Sequence, residues 1–84
     1  SLDDIDEDPT KRGLKDTVPY IASLNMSDAE KGYYLYQFLQ PNKATAKYVE
    51  TPLAQNKQPD YAGLYKSYIN NKTYHDRVIA YLNQ

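Results

Sequence analysis

Three aspartates at alternate positions, Asp4, Asp6 and Asp8, have the spacing of the first calcium ligands of an EF-hand loop. The rest of such a loop is missing. Pro9 stands where the sharp turn needs glycine, and Lys15 where a bidentate glutamate would complete the shell. These carboxylates therefore read as a solvated acidic run. His75 is the only histidine, and the chain has no cysteine, so a metal site would have to be completed by carboxylates. Asp76 follows His75 directly, which on a helix turns the two side chains about 100° apart and gives no His–carboxylate relay. Ser23, Ser27 and Ser67 lie in no nucleophile-elbow context. The glycines, at 13, 32 and 63, are too scattered for a phosphate loop. The expectation is a protein that is not an enzyme, with no metal and no cofactor.

The chemistry that remains is recognition. The stretch EKGYYLYQFLQP places Tyr33, Tyr34, Tyr36 and Phe38 within six positions. On a helical wheel Leu35, Leu39, Tyr36, Ala29 and Tyr33 share one arc of about 160°, with Gly32 inside it, while Tyr34 and Phe38 fall on the opposite flank among Glu30, Lys31 and Gln37. One reading buries this second flank as well, under the segment 42–56. The functional reading leaves Tyr34 and Phe38 exposed as the aromatic anchors of a protein interface, with Lys31 and Gln37 as its polar rim. The alternative is a helical nucleic-acid-binding module, in which Arg77, Lys72 and Tyr74 of the last helix supply phosphate contacts and a stacking ring. The lysines are spread along the chain, so the electrostatic footprint of that alternative is faint.

These side chains need elements to hold them. Eighty-four residues make one small domain at most, and only 17 of them are Leu, Ile, Val, Met or Phe. Ten tyrosines must supply the missing apolar area, with their hydroxyls paired or brought to the surface. Ser27-Asp28-Ala29-Glu30 is a capping box that opens a helix, which ends near Gln40 because Pro41 disfavours helical geometry in the residue before it. A short helix is expected around VPYIASLN, with Pro19 in its first turn. Asn42 is expected to cap two turns, and Thr51 one more with Pro52 first. The stretch after Asp60 places Tyr61, Leu64, Tyr65, Tyr68 and Ile69 within about 140°, and Thr73 with Asp76 resembles a capping box for a last helix presenting Tyr74, Val78, Tyr81 and Leu82 on one side.

No strand pattern competes with these signals. The expected fold is all-α: a small single-domain helical bundle of three well-signalled helices plus one to three short ones. It has a flexible acidic leader over 1–10 and a helical domain over 11–84. The leader is the source of a charge asymmetry, since residues 1–9 carry five acidic and no basic groups, while the remaining ten basic and six acidic residues leave the body near +4. No apolar run approaches a membrane span. The first residue, Ser1, fits a processed chain or a part excised from a larger protein, and the latter is expected. No stretch resembles a known family residue by residue, and nothing points to a compartment. The expected partner is another protein, or a second copy in self-assembly.

Overall fold

Helices account for all the regular structure in the computed structural model, which describes residues 14–39 and 41–83; the leader expected over 1–10 lies outside the described residues. The order is α1 (Leu14–Ala22), α2 (Asp28–Tyr36), α3 (Lys43–Ala46), α4 (Glu50–Ala54), α5 (Tyr61–Ile69) and α6 (Lys72–Leu82). No described helix is long and apolar enough to cross a membrane.

Local chemistry explains most of the boundaries. The capping box at Ser27 is formed, with the Glu30 amide donating to Ser27 Oγ at 3.2 Å and the Ser27 amide donating to Glu30 Oε1 at 3.3 Å. α2 stops at Tyr36, short of Gln40. The amides of Gln37, Phe38 and Leu39 bond three residues back, to Tyr34, Leu35 and Tyr36, so the chain tightens before it reaches Pro41. Asn42 caps α3 as expected: its Oδ1 accepts from the amides of Ala44 and Thr45.

Three further boundaries differ from expectation. α1 begins before Val18, which puts Pro19 inside the helix, where it removes one backbone hydrogen bond; the turn it disrupts is held by the buried Val18, Tyr20 and Ile21. α4 begins at Glu50 after Val49, so Thr51 is not its cap and Pro52 is third rather than first. Pro52 still falls in the first turn, where amides have no intrahelical acceptor. α6 begins at Lys72, the residue before Thr73. Asn71 Oδ1 accepts the Thr73 amide at 3.1 Å, and Asp76 pairs with Lys72 instead of closing a box with Thr73.

The helices pack mainly as two pairs. α2 lies against α5, and α1 against α6, with α1 also touching α2 and α5. Gly32 sets the first contact: a Cβ there would overlap the backbone carbonyl of Tyr61. The core draws on Val18, Tyr20, Ile21 and Leu24 from α1 and the turn after it, Leu35 from α2, Tyr65 from α5 and Val78 from α6. Thr45 is the buried polar residue among those described. Its hydroxyl accepts from the Asn42 amide at 2.9 Å and donates to Glu50 Oε1 at 2.9 Å, so the cost of burying it is met within α3 and α4. The Asp60 amide donates to the Tyr48 carbonyl, joining the α3–α4 segment to the start of α5.

Candidate functional site

The buried arc of α2 is centred on Leu35, not displaced to one side of it. Gly32 and Leu35 are buried, and Lys31, Tyr34 and Phe38 on one flank and Tyr36 and Leu39 on the other are half-buried. That arc spans about 200° of the helix. Ala29 and Tyr33, expected inside it, are exposed. The reason is two-sided packing: one flank of α2 meets α5, and Tyr34 and Phe38 pack on the core cluster that α1 contributes to. Cover for Tyr34 and Phe38 comes from that cluster.

Of the four residues expected to bind a partner, Lys31, Tyr34 and Phe38 are engaged within the fold, and Gln37 is exposed. Lys31 Nζ donates to the carbonyl of Ala22, the last residue of α1, at 3.0 Å, and lies 5.5 Å from the centre of the Tyr65 ring. It satisfies an otherwise orphaned helix-end carbonyl and joins α1, α2 and α5. Gln37 Nε2 donates to the Tyr33 carbonyl at 3.2 Å. The ring left over in this stretch is Tyr33, 50% exposed and edge-on to Tyr61 at 5.3 Å.

A second aromatic group forms an open groove of about 460 Å3. Its rings come from three places in the chain: Tyr48 after α3, Tyr68 on the last turn of α5 and Tyr74 on the first turn of α6. Lys47, Ser67 and Asn71 supply its polar groups, and Ala44 lines it from α3. Tyr68 and Tyr74 sit 5.4 Å apart with their planes tilted by 41°. Lys47 Nζ lies 5.4 Å from the centre of the Tyr48 ring. Ser67 Oγ donates to the Leu64 carbonyl at 2.7 Å, so the oxygen retains acceptor capacity. Gly63 helps to hold Tyr48 in place: a Cβ there would lie 2.9 Å from Tyr48 Cδ1 and overlap the Asp60 carboxylate that caps α5.

The electrostatics are one-sided. Among the described residues no carboxylate lines the groove, while Lys47 does and Lys43 precedes it by one turn at the start of α3. Lys66, adjacent to Ser67, is exposed. Burial, and after it the neighbouring Tyr74, raises the Tyr68 phenol above its ordinary value, so this ring is neutral at physiological pH. Tyr36 is raised too, by burial and then by Glu50 and Tyr61. These features suit the seating of apolar and aromatic groups next to hydrogen-bond acceptors and anions.

Of the nucleic-acid set, only Tyr74 reaches the groove. Lys72 Nζ is held by Asp76 Oδ2 at 2.8 Å, a pairing that raises the lysine and lowers the aspartate from their ordinary values. Arg77 is exposed on α6 and is not part of the lining. His75 is exposed as well, and among the described residues no three His, Cys, Asp or Glu side chains cluster to hold a metal ion. Sequence reasoning missed Tyr48 and its meeting with Tyr68 and Tyr74, which no local pattern encodes.

No family model matches the chain, and no curated protein and no solved structure matches it either.

Proposed function

We propose that the chain is a non-catalytic interaction module that binds a segment of another protein in the groove of Tyr48, Tyr68 and Tyr74. The supporting observation is the convergence of these three rings on one open groove with a hydrogen-bonding rim. Tyrosine is enriched at protein interfaces because it offers a large apolar face with a polar end. The groove volume falls in the range of sites that hold a drug-sized group, which gives room for a few side chains of an extended peptide. Among the described residues one lysine lines the groove, too few for the strong, phosphate-driven binding of a nucleic acid, which relies on many neutralised phosphates.

The test uses two probes on the full, isotope-labelled chain: twelve-residue peptides selected from a displayed random library, and the oligonucleotide dT12. The proposal expects selected peptides to shift the amide signals of residues 44–48 and 67–74, with affinity that persists in moderate salt. Peptide shifts centred on Tyr33 and Tyr61 would move the interface to the other aromatic group. Groove shifts caused by dT12 alone, fading steeply with salt, would favour the nucleic-acid alternative.

A further inference from the structure

We infer that the groove takes a segment of another protein in which an aromatic side chain has an aspartate or glutamate beside it; this rests on the groove being a binding site. Its lining is rich in donors that the fold leaves unused. Tyr48, Tyr68 and Tyr74 are half-buried, yet among the described residues their hydroxyls have no hydrogen-bond partner, and none of the three is sealed from solvent. Asn71 Oδ1 accepts the Thr73 amide at 3.1 Å, so what Asn71 has left to offer is the two-proton Nδ2. Lys47 Nζ lies over the Tyr48 ring at 5.4 Å, and among the described residues no carboxylate pairs with it or lines the groove.

Rings surrounded by unused donors select a flat apolar group with acceptors at its margin. Covering those donors with a purely apolar segment would leave them without acceptors, which is costly. A basic segment brings further donors and places its charge against that of Lys47. An aromatic residue with a neighbouring carboxylate meets both requirements: the ring lies against the tyrosines, and the carboxylate oxygens accept from Lys47, Asn71 or a phenol. One lining lysine matches one negative charge, whereas a phosphate carries about −1.5 to −2 and is recognised by clusters of arginine. The groove is open, so the ring can enter it as part of a continuing chain.

The chain has no tryptophan, so the emission of a peptide's own tryptophan reports its binding to the full chain. Three probes share that ring: acetyl-GSEWEGS-amide, the same peptide with glutamine in place of both glutamates, and the same with lysine. The glutamate peptide should bind tightest, about two- to fivefold above the glutamine form, as an exposed ion pair allows. The lysine form should bind weakest, and the differences should narrow as salt screens the charges. Amide shifts of the labelled chain should centre on residues 44–48 and 67–74. Asn71→Asp keeps the oxygen that accepts the Thr73 amide, and Lys47→Glu falls at an exposed position. Each should melt within a few degrees of the parent and turn the order toward the lysine peptide. Equal responses to the three probes, or a parent chain that prefers the lysine form, would reject the acidic partner. So would groove shifts from library-selected peptides that carry no aspartate or glutamate; these outcomes leave the groove reading standing. Groove residues shifted by neither the probes nor the selected peptides would reject both.

Discussion

Substituting Gly32 by alanine tests the packing on which the whole arrangement depends. Taken alone, the change favours the helix by about 1 kcal/mol, because alanine is the better helix former. In the fold, the added methyl overlaps the backbone carbonyl of Tyr61, which no rotamer change can withdraw. α2 and α5 must separate instead. Leu35 and Leu64, the fully buried leucines of these two helices, each contribute about 1.5–3 kcal/mol by burial. A gap of 0.5–1 Å forfeits roughly a quarter to a half of the contact energy, so the pair loses on the order of 2 kcal/mol. Strain from overpacking adds about 1–3 kcal/mol. Net of the helix gain, Gly32→Ala should destabilise by about 2–4 kcal/mol. For a domain of this size that lowers the melting temperature by at least about 8 °C. Thermal unfolding followed by circular dichroism reads it. Because the obstacle is backbone, truncating the Tyr61 side chain should not rescue the variant. An unchanged or raised melting temperature would refute the reasoning, since it would make Gly32 an ordinary exposed helical glycine and remove the α2–α5 contact.

Other perturbations separate rings used by the fold from those left over. Tyr34→Ser with Phe38→Ser removes two half-buried rings from the core cluster and should cost on the order of 4 kcal/mol, a large share of the stability of so small a domain; Tyr33→Ser should melt within a few degrees of the parent. Asn56 has φ of 57° at the end of α4, where the Lys57 amide bonds to the Pro52 carbonyl and the Asn56 amide to that of Leu53. Asn56→Gly should therefore match or exceed the parent in a urea melt, whereas Asn56→Ala should lose about 1 kcal/mol. Burial, and secondarily the charge of Asp28, pushes the Tyr65 phenol up to about 12. Ionisation is harder in the folded chain than in the unfolded one, so this contribution is intact below pH 10 and lost as the pH rises from 10 to about 12. The loss is on the order of 2 kcal/mol, and Tyr65→Phe should flatten that part of the stability–pH curve.

The parts of the fold set by neighbouring residues are legible in the sequence. Ser27 and Glu30 announce α2, Asn42 announces α3, and the faces of α5 follow from its apolar spacing, with Leu64 and Tyr65 buried and Lys66 and Ser67 exposed. What was not legible depends on partners distant in sequence. The wheel alone centres the α2 face on Tyr36 and Leu39, because it counts rings and cannot know that a second neighbour takes Tyr34 and Phe38. Lys31 looked like a solvated rim charge until the end of α1 arrived beside it. On α6, Val78 is buried as expected, but Leu82 is 54% exposed, since a wheel marks a direction and not where the neighbouring helix ends. The groove was hidden for the same reason. Tyr68 and Tyr74 are close in sequence, but Tyr48 joins them only through the return of the α3–α4 segment, anchored by the Asp60 amide on the Tyr48 carbonyl.

The chain has no tryptophan, so a single Tyr→Trp substitution reports from one place. The most direct test of the groove compares Tyr74→Trp with Tyr33→Trp during titration with a library-selected peptide. A peptide seated in the groove shifts the emission of Trp at position 74 in a saturable way and leaves that at position 33 unchanged. The reverse pattern, or saturable binding that neither position senses, would contradict the groove as the surface through which this protein works.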